Sequence, residues 1–236
     1  MNLAQRAMAD ELMDADDLPA ATYAAVVGDL ARVNTVTLAI RPTLAFLNRA
    51  VGQRQSLKLL DVGFGDGDAL RRIAGWAAKR GIKAELVGID LNQRSAPAAA
   101  AHTSPDLGIT YLTGDYASLG GGDWDCIISS LVAHHMTHAQ LVNFLRFMER
   151  EARLGWLVND LHRHRFAFHG FPLLARLAGW HPIVRHDGTL SIARSYRPAE
   201  WPPILKEAGV DRARAYRAFP FRLCVEKVME EPACGR

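Results

Sequence analysis

The segment from Leu57 to Asp68 constrains this chain more than any other, because it passes from an apolar run through a glycine-rich turn into a helix. Residues 57–62 have the length and composition of a strand covered on both faces. Gly63, Gly65 and Gly67 follow at alternate positions. Glycine allows left-handed turns and close backbone approach, and the helix that starts next presents free N–H groups. A helix over 68–81, closed by Gly81, and a second apolar strand over 83–90 complete a βαβ unit.

The alternation continues. Residues 109–115, 124–132 and 155–161 read as strands, and 138–152 as an amphipathic helix. This spacing predicts a doubly wound, mostly parallel α/β sheet. Near the end, ARAYRAF and FRLCVEKVM are separated by little more than Pro220, a link that permits only an antiparallel hairpin. The hairpin brings the expected sheet to seven strands. Residues 162–195 offer no central strand and read as a lid inserted over the carboxyl edge of the sheet, followed by a helix at PAEWPPILKEAG. Residues from about 3 to 50 have helical spacing with a stop near Pro42. The expected organisation is therefore an N-terminal helical cap over 1–52 and a Rossmann-like domain over 53–236.

Composition excludes several classes. A net charge of +3 with no basic stripe argues against nucleic acid as a partner. No apolar stretch is long enough for stable membrane insertion, and the first residues lack the pattern of a secretory signal. Cys126, Cys224 and Cys234 have no metal-ligand spacing and read as reduced thiols of a cytoplasmic protein.

In open parallel sheets ligands bind beyond the carboxyl ends of the strands, where the winding reverses. Asp90 closes the second strand there. A carboxylate at that point can accept both hydroxyls of a ribose or cap the following helix. A dinucleotide-binding turn, Gly-x-Gly-x-x-Gly, requires glycine at position 68, where this chain has Asp68.

LLDVGFGDG (59–67) followed by VGIDLN (87–92) resembles the first two motifs of class I S-adenosylmethionine-dependent methyltransferases. The resemblance extends through GDY (114–116) and SSLVAHHM (129–136) and covers about 57–161. It implies S-adenosyl-L-methionine as cofactor and a set of roles. Asp61, Gly63, Phe64, Gly65 and Gly67 would hold the methionyl part. Asp90 would take the ribose, with Leu91 against the adenine. Asp115 and Tyr116 would meet the adenine edge and face, and Ser130 and Leu131 would line the sulfonium side. Arg32 or Asn34 could reach the cofactor carboxylate from the cap. The expected reaction is O-methylation of a small phenolic or polyketide-like acceptor. C-methylation of a quinone-type ring, a nicotinamide-dependent oxidoreductase and a non-catalytic binding protein are the alternatives.

Eight of the nine histidines follow residue 130. Histidine can take a proton near neutral pH, which an oxygen acceptor requires. His135 is the first candidate for a general base and His134 the second. For metal, His134 with His138 and His162 with His164 have chelating spacings, but no cysteine joins them and Asn159–Asp160 only hints at an acidic set. No metal site is expected. Phe166, Phe168, Phe171, Leu173, Leu174, Leu177 and Trp180 in the insertion supply either the core of the lid or a wall for an apolar or aromatic acceptor.

Overall fold

The computed structural model describes residues 3–15 and 17–229. Its centre is a seven-stranded sheet in the order β3-β2-β1-β4-β5-β7-β6. The strands are β1 (Ser56–Val62), β2 (Lys83–Asp90), β3 (Ile109–Thr113), β4 (Cys126–Ser130), β5 (Gly155–Leu161), β6 (Arg214–Ala218) and β7 (Arg222–Val228). β7 pairs antiparallel with both β5 and β6, while the pairs among β1 to β5 are parallel. The expected sheet and terminal hairpin are both present. β1 lies between β2 and β4, so the winding reverses at its carboxyl end.

Period-two alternation decides which residues face which layer. Leu60, Val62, Val87, Ile89, Ile127, Trp156 and Val158 point to one side and pack with α5 (His138–Glu151) and α8 (Trp201–Ala208) through Phe144, Leu145, Trp201 and Ile204. Leu57, Leu59, Leu86, Ile128 and Leu157 point to the other. There they meet α2 (Ile40–Val51) and α3 (Asp68–Lys79) through Phe46, Leu47, Leu70 and Ile73. α5 starts cleanly because Thr137 and Gln140 form a capping box. α4 (Ser95–Ala101) completes the second layer.

Above the carboxyl ends sits a separate helical group: α1 (Ala20–Val36), α6 (Arg165–Leu177) and α7 (Pro182–Arg194). Val26, Ala175, Trp180 and Val184 form its own small core. The insertion thus folds as a helical pair packed on α1.

The amino-terminal stretch departs from expectation. LAQRAMADELMD has helical spacing, yet residues 3–15 contain only a short 3-10 turn at Leu12–Asp14. Several of its backbone N–H groups donate to α7 instead. Ala7 N–H donates to the Ala193 carbonyl, and the N–H groups of Leu12 and Met13 donate to the Asp187 carboxylate at 3.0 and 2.9 Å. Tertiary partners outbid the weak intrinsic helix propensity of so short a segment. The helix break also falls earlier than Pro42, at Leu38, whose φ is 53°. Pro42 lies in the first turn of α2, where its missing N–H has no helical partner to lose.

Cys126 and Cys224 are buried free thiols; Cys234 lies outside the described residues. Among the described residues no helix is long and apolar enough to cross a membrane.

Candidate active site

The turn after β1 is shaped by contacts that only glycine permits. Gly63 has φ 77°, and a Cβ there would collide with the Val132 side chain. The first turn is thereby pressed against the loop after β4. Gly67 has φ 78° and stands against the ring of Tyr111, which also packs on Phe64.

Below this turn lie two carboxyl groups. Asp61 is 1% exposed, and neither of its oxygens has a hydrogen-bond partner among the described residues. Burial, helped by the charge of Asp90, pushes its pKa up to about 7. A buried acid without a partner is costly unless a ligand supplies a cation or donor. Asp90 accepts the Gly65 N–H at 3.0 Å on one oxygen and the Asn92 N–H at 2.9 Å on the other. Burial raises its pKa too, opposed by those two backbone donors. Ser95 adds a third hydrogen bond, and the carboxylate keeps acceptor capacity for a further donor.

These groups open into a cavity of about 710 Å³, within the usual range for small-molecule sites. Asp61, Gly63, Phe64, Gly65, Asp90 and Leu91 line one end. Tyr116, Ser130 and Leu131 line it from the neighbouring strand ends. Leu131 is held at φ 63°, a strained position for leucine, with its N–H donated to the Asn159 carbonyl. Gly67 and Asp115 are not among the lining residues. Gly67 is the N-cap of α3, and Asp115 caps a 3-10 turn by accepting the Ala117 N–H at 2.9 Å. Asn34 lines the cavity but accepts from Arg222 at 2.9 Å, while Arg32 pairs with Asp29 on the surface.

The other end holds His134 and His135 in the 3-10 turn Ala133–His135. His134 is 2% exposed and sits between two carboxylates. Its Nδ1 is 2.7 Å from Asp160 Oδ1, and its Nε2 is 3.6 Å from Glu11 Oε1. Burial acts to lower its pKa, but Asp160 and Glu11 outweigh that and lift it to about 9. The two carboxylates thus favour the protonated ring. His135 is half-buried, with Nε2 3.7 Å from Glu11 Oε2 and Nδ1 3.2 Å from Asp14 Oδ2. Burial would raise the Glu11 pKa, yet both histidines overcome it and hold the group below the carboxylate range.

Sequence reasoning missed Glu11, Asp14 and Arg222. The first two reach the cavity on the amino-terminal strap, which Arg194 and Arg6 clip to the His134 turn through backbone carbonyls. Arg222 on β7 is buried, with Nη1 unpartnered among the described residues. No local motif announces any of them. The wall of α6 contributes Phe166, Phe171 and Leu174, whereas Leu173 and Leu177 face outward.

Residues 59–155 match the methyltransferase domain family. No curated protein sequence matches the chain. Among solved structures it is similar to a SAM-dependent methyltransferase from Aquifex aeolicus, with 16% identity, a TM-score of 0.61, and coverage of 89% of this chain and 98% of that one. The magnesium protoporphyrin IX methyltransferase from Synechocystis PCC 6803, solved with SAH, gives 18% identity and a TM-score of 0.57 over 92% and 91% of the two chains. The plantazolicin methyltransferase BpumL, in complex with a pentazolic desmethylPZN analog and SAH, gives 11% and 0.65 over 87% and 90%.

Proposed function

From a class I methyltransferase fold whose residues 59–155 match the methyltransferase domain family, we propose S-adenosylmethionine-dependent transfer of a methyl group to a small acceptor. The observation that carries this reading is one continuous cavity. It joins the partnerless Asp61 and the lone pairs of Asp90 to the histidine cluster through Ser130 and Leu131. Asp61 suits the ammonium of a methionyl group, and Asp90 suits ribose hydroxyls. A sulfonium held between these groups would face the loop after β4.

Methyl transfer is an in-line displacement, and the protein's part is mainly proximity and orientation. The cavity walls favour an apolar or aromatic acceptor, with Phe166, Phe171 and Leu174 on one side. We favour a hydroxyl as the nucleophile, because an acid–base cluster stands at that end of the cavity. His135, the more accessible histidine and the one beside Asp14, is the proposed base; on His134 the two carboxylates favour the protonated ring. The two buried thiols, Cys126 and Cys224, suit a reducing cytoplasm.

Calorimetry of the purified chain with S-adenosylmethionine, its demethylated product and NAD tests the cofactor. Binding of the first two at micromolar strength, about 8 kcal/mol, is expected. Binding of NAD alone would overturn the reading.

A further inference from the structure

The three side chains Glu11, His134 and His135 are drawn together with more order than a proton relay needs. Their nearest ligand atoms all lie within 4.8 Å of one another. The gaps from His134 Nε2 and His135 Nε2 to the Glu11 oxygens are 3.6 and 3.7 Å. Those gaps exceed ordinary hydrogen-bond lengths of about 2.7–3.2 Å. They are close to the separation of two donors held about 2.1 Å from one tetrahedral ion, roughly 3.4 Å. His134 Nε2 is buried and has no hydrogen-bond partner among the described residues.

The far side of each ring is also arranged. Asp160 holds His134 Nδ1 at 2.7 Å, and Asp14 stands 3.2 Å from His135 Nδ1. Metal-binding histidines almost always give their second ring N–H to a carboxylate or carbonyl, which fixes the tautomer and turns the free nitrogen toward the ion. Here both rings have such a carboxylate, and both free nitrogens point to Glu11. Glu11 Oε1 also accepts the Ser191 hydroxyl at 2.8 Å, which orients the carboxylate, while the nearby cations Arg6 and Arg194 hydrogen-bond to backbone carbonyls and take none of the three ligand groups.

We propose that Glu11, His134 and His135 form a binding site for one divalent first-row transition ion of the zinc class. Two imidazoles and one carboxylate suit such an ion, which on binding displaces the Nε2 proton of His134 to solvent, and three protein ligands leave a position open. All three ligands line the large cavity, so that position faces the acceptor end. This ligand set is not legible in the sequence, because Glu11 arrives from the amino-terminal strap and not from the segment that carries the histidines. The ion's use in catalysis rests on the proposed methyl transfer, but its binding does not. With the ion in place His135 is a ligand, and the ion takes over its part in ionising an oxygen acceptor.

The test uses the full chain, stripped with chelator and free of cofactor and acceptor. Zn²⁺ is titrated by calorimetry and Co²⁺ by visible ligand-field absorption. One equivalent of each is expected, with a four- or five-coordinate cobalt spectrum. Glu11→Gln and His135→Ala should each weaken binding at least tenfold, with circular dichroism confirming the fold. Asp14→Asn, which alters only the carboxylate behind His135, should weaken it about 10–100-fold. No uptake by the folded parent, or equal uptake by Glu11→Gln and His135→Ala, would overturn the site. A chain that binds S-adenosylmethionine but neither ion refutes this proposal alone. One that takes up the ions but not the cofactor refutes the methyltransferase reading alone.

Discussion

Asp160 holds His134 twice: one carboxylate oxygen stands 2.7 Å from the ring Nδ1, and the other accepts the His134 backbone N–H at 2.9 Å. The pair joins the end of β5 to the turn after β4, next to the cavity. Both residues are buried, so the charge on the ring depends on this partner.

Asp160→Asn removes that countercharge while keeping the shape. Breaking a buried pair from one side typically costs about 3–5 kcal/mol, because the other charge is left uncompensated. Urea denaturation of parent and variant should show a loss in that range. A change under about 1 kcal/mol would mean that Glu11 alone satisfies the ring.

Asp61 should make cofactor affinity depend on pH. Its carboxyl, pushed up to about 7 by burial and by Asp90, is partly protonated in the free chain near neutrality. An ammonium placed beside it favours the ionised form, so affinity should rise as pH rises through about 7 and then level off. Stability runs the opposite way. From the ordinary value of 3.8 up to about 7 the folded chain keeps a proton that the unfolded chain has lost, so this group's contribution falls as pH rises across that window. Asp61→Asn should flatten both profiles, measured by calorimetry and by denaturation at several pH values.

Asp90→Ala should weaken cofactor binding by roughly 1.5–3 kcal/mol, the range for hydrogen bonds to a charged group. The variant also frees the Gly65 and Asn92 N–H groups, so Asp90→Asn is the companion that retains an acceptor. Unchanged affinity in a folded Asp90→Ala would reduce this residue to a brace for the turn.

His135→Ala should lower turnover by about 10²–10⁴-fold and leave cofactor affinity nearly intact. The acceptor is first identified by screening phenols, quinols and amines with labelled cofactor. Parental rates in the variant would exclude His135 both as base and as an essential ligand.

The parts of the fold that are legible in sequence are those whose signal is local. β1, β2 and β5 announce themselves as apolar runs that end at or beside a glycine or an acid, β4 as an apolar run alone, and Pro220 marks the hairpin. The same locality exposes Asp61, Asp90 and the histidines, since each stands at a strand end beside its own motif. Residues 3–15 mislead because their spacing suits a helix while their hydrogen bonds belong to α7. Glu11 and Asp14 are invisible for the same reason: what brings them to His134 and His135 is the path of the chain across α7. Asp115, in the GDY segment, accepts the Ala117 N–H on one oxygen, a local role that the segment's resemblance does not announce.

The strap has a thermal consequence. Two carboxylates of the site are supplied by a segment with almost no regular secondary structure, held by side chains of α7 and by a few backbone bonds. Segments of this kind open locally at far lower free energy than a sheet core. Heating should therefore abolish the proposed methyl transfer before it melts the sheet. Turnover, extrapolated from brief assays, should decline at temperatures where circular dichroism is still unchanged, and cooling should restore it. Amide exchange at residues 7–15 should be fast against β1 and β4 under the same conditions. Coincident loss of activity and sheet would mean that the strap is as firmly held as the core. Two melting points are expected, the lower one set by the strap and the higher by the sheet.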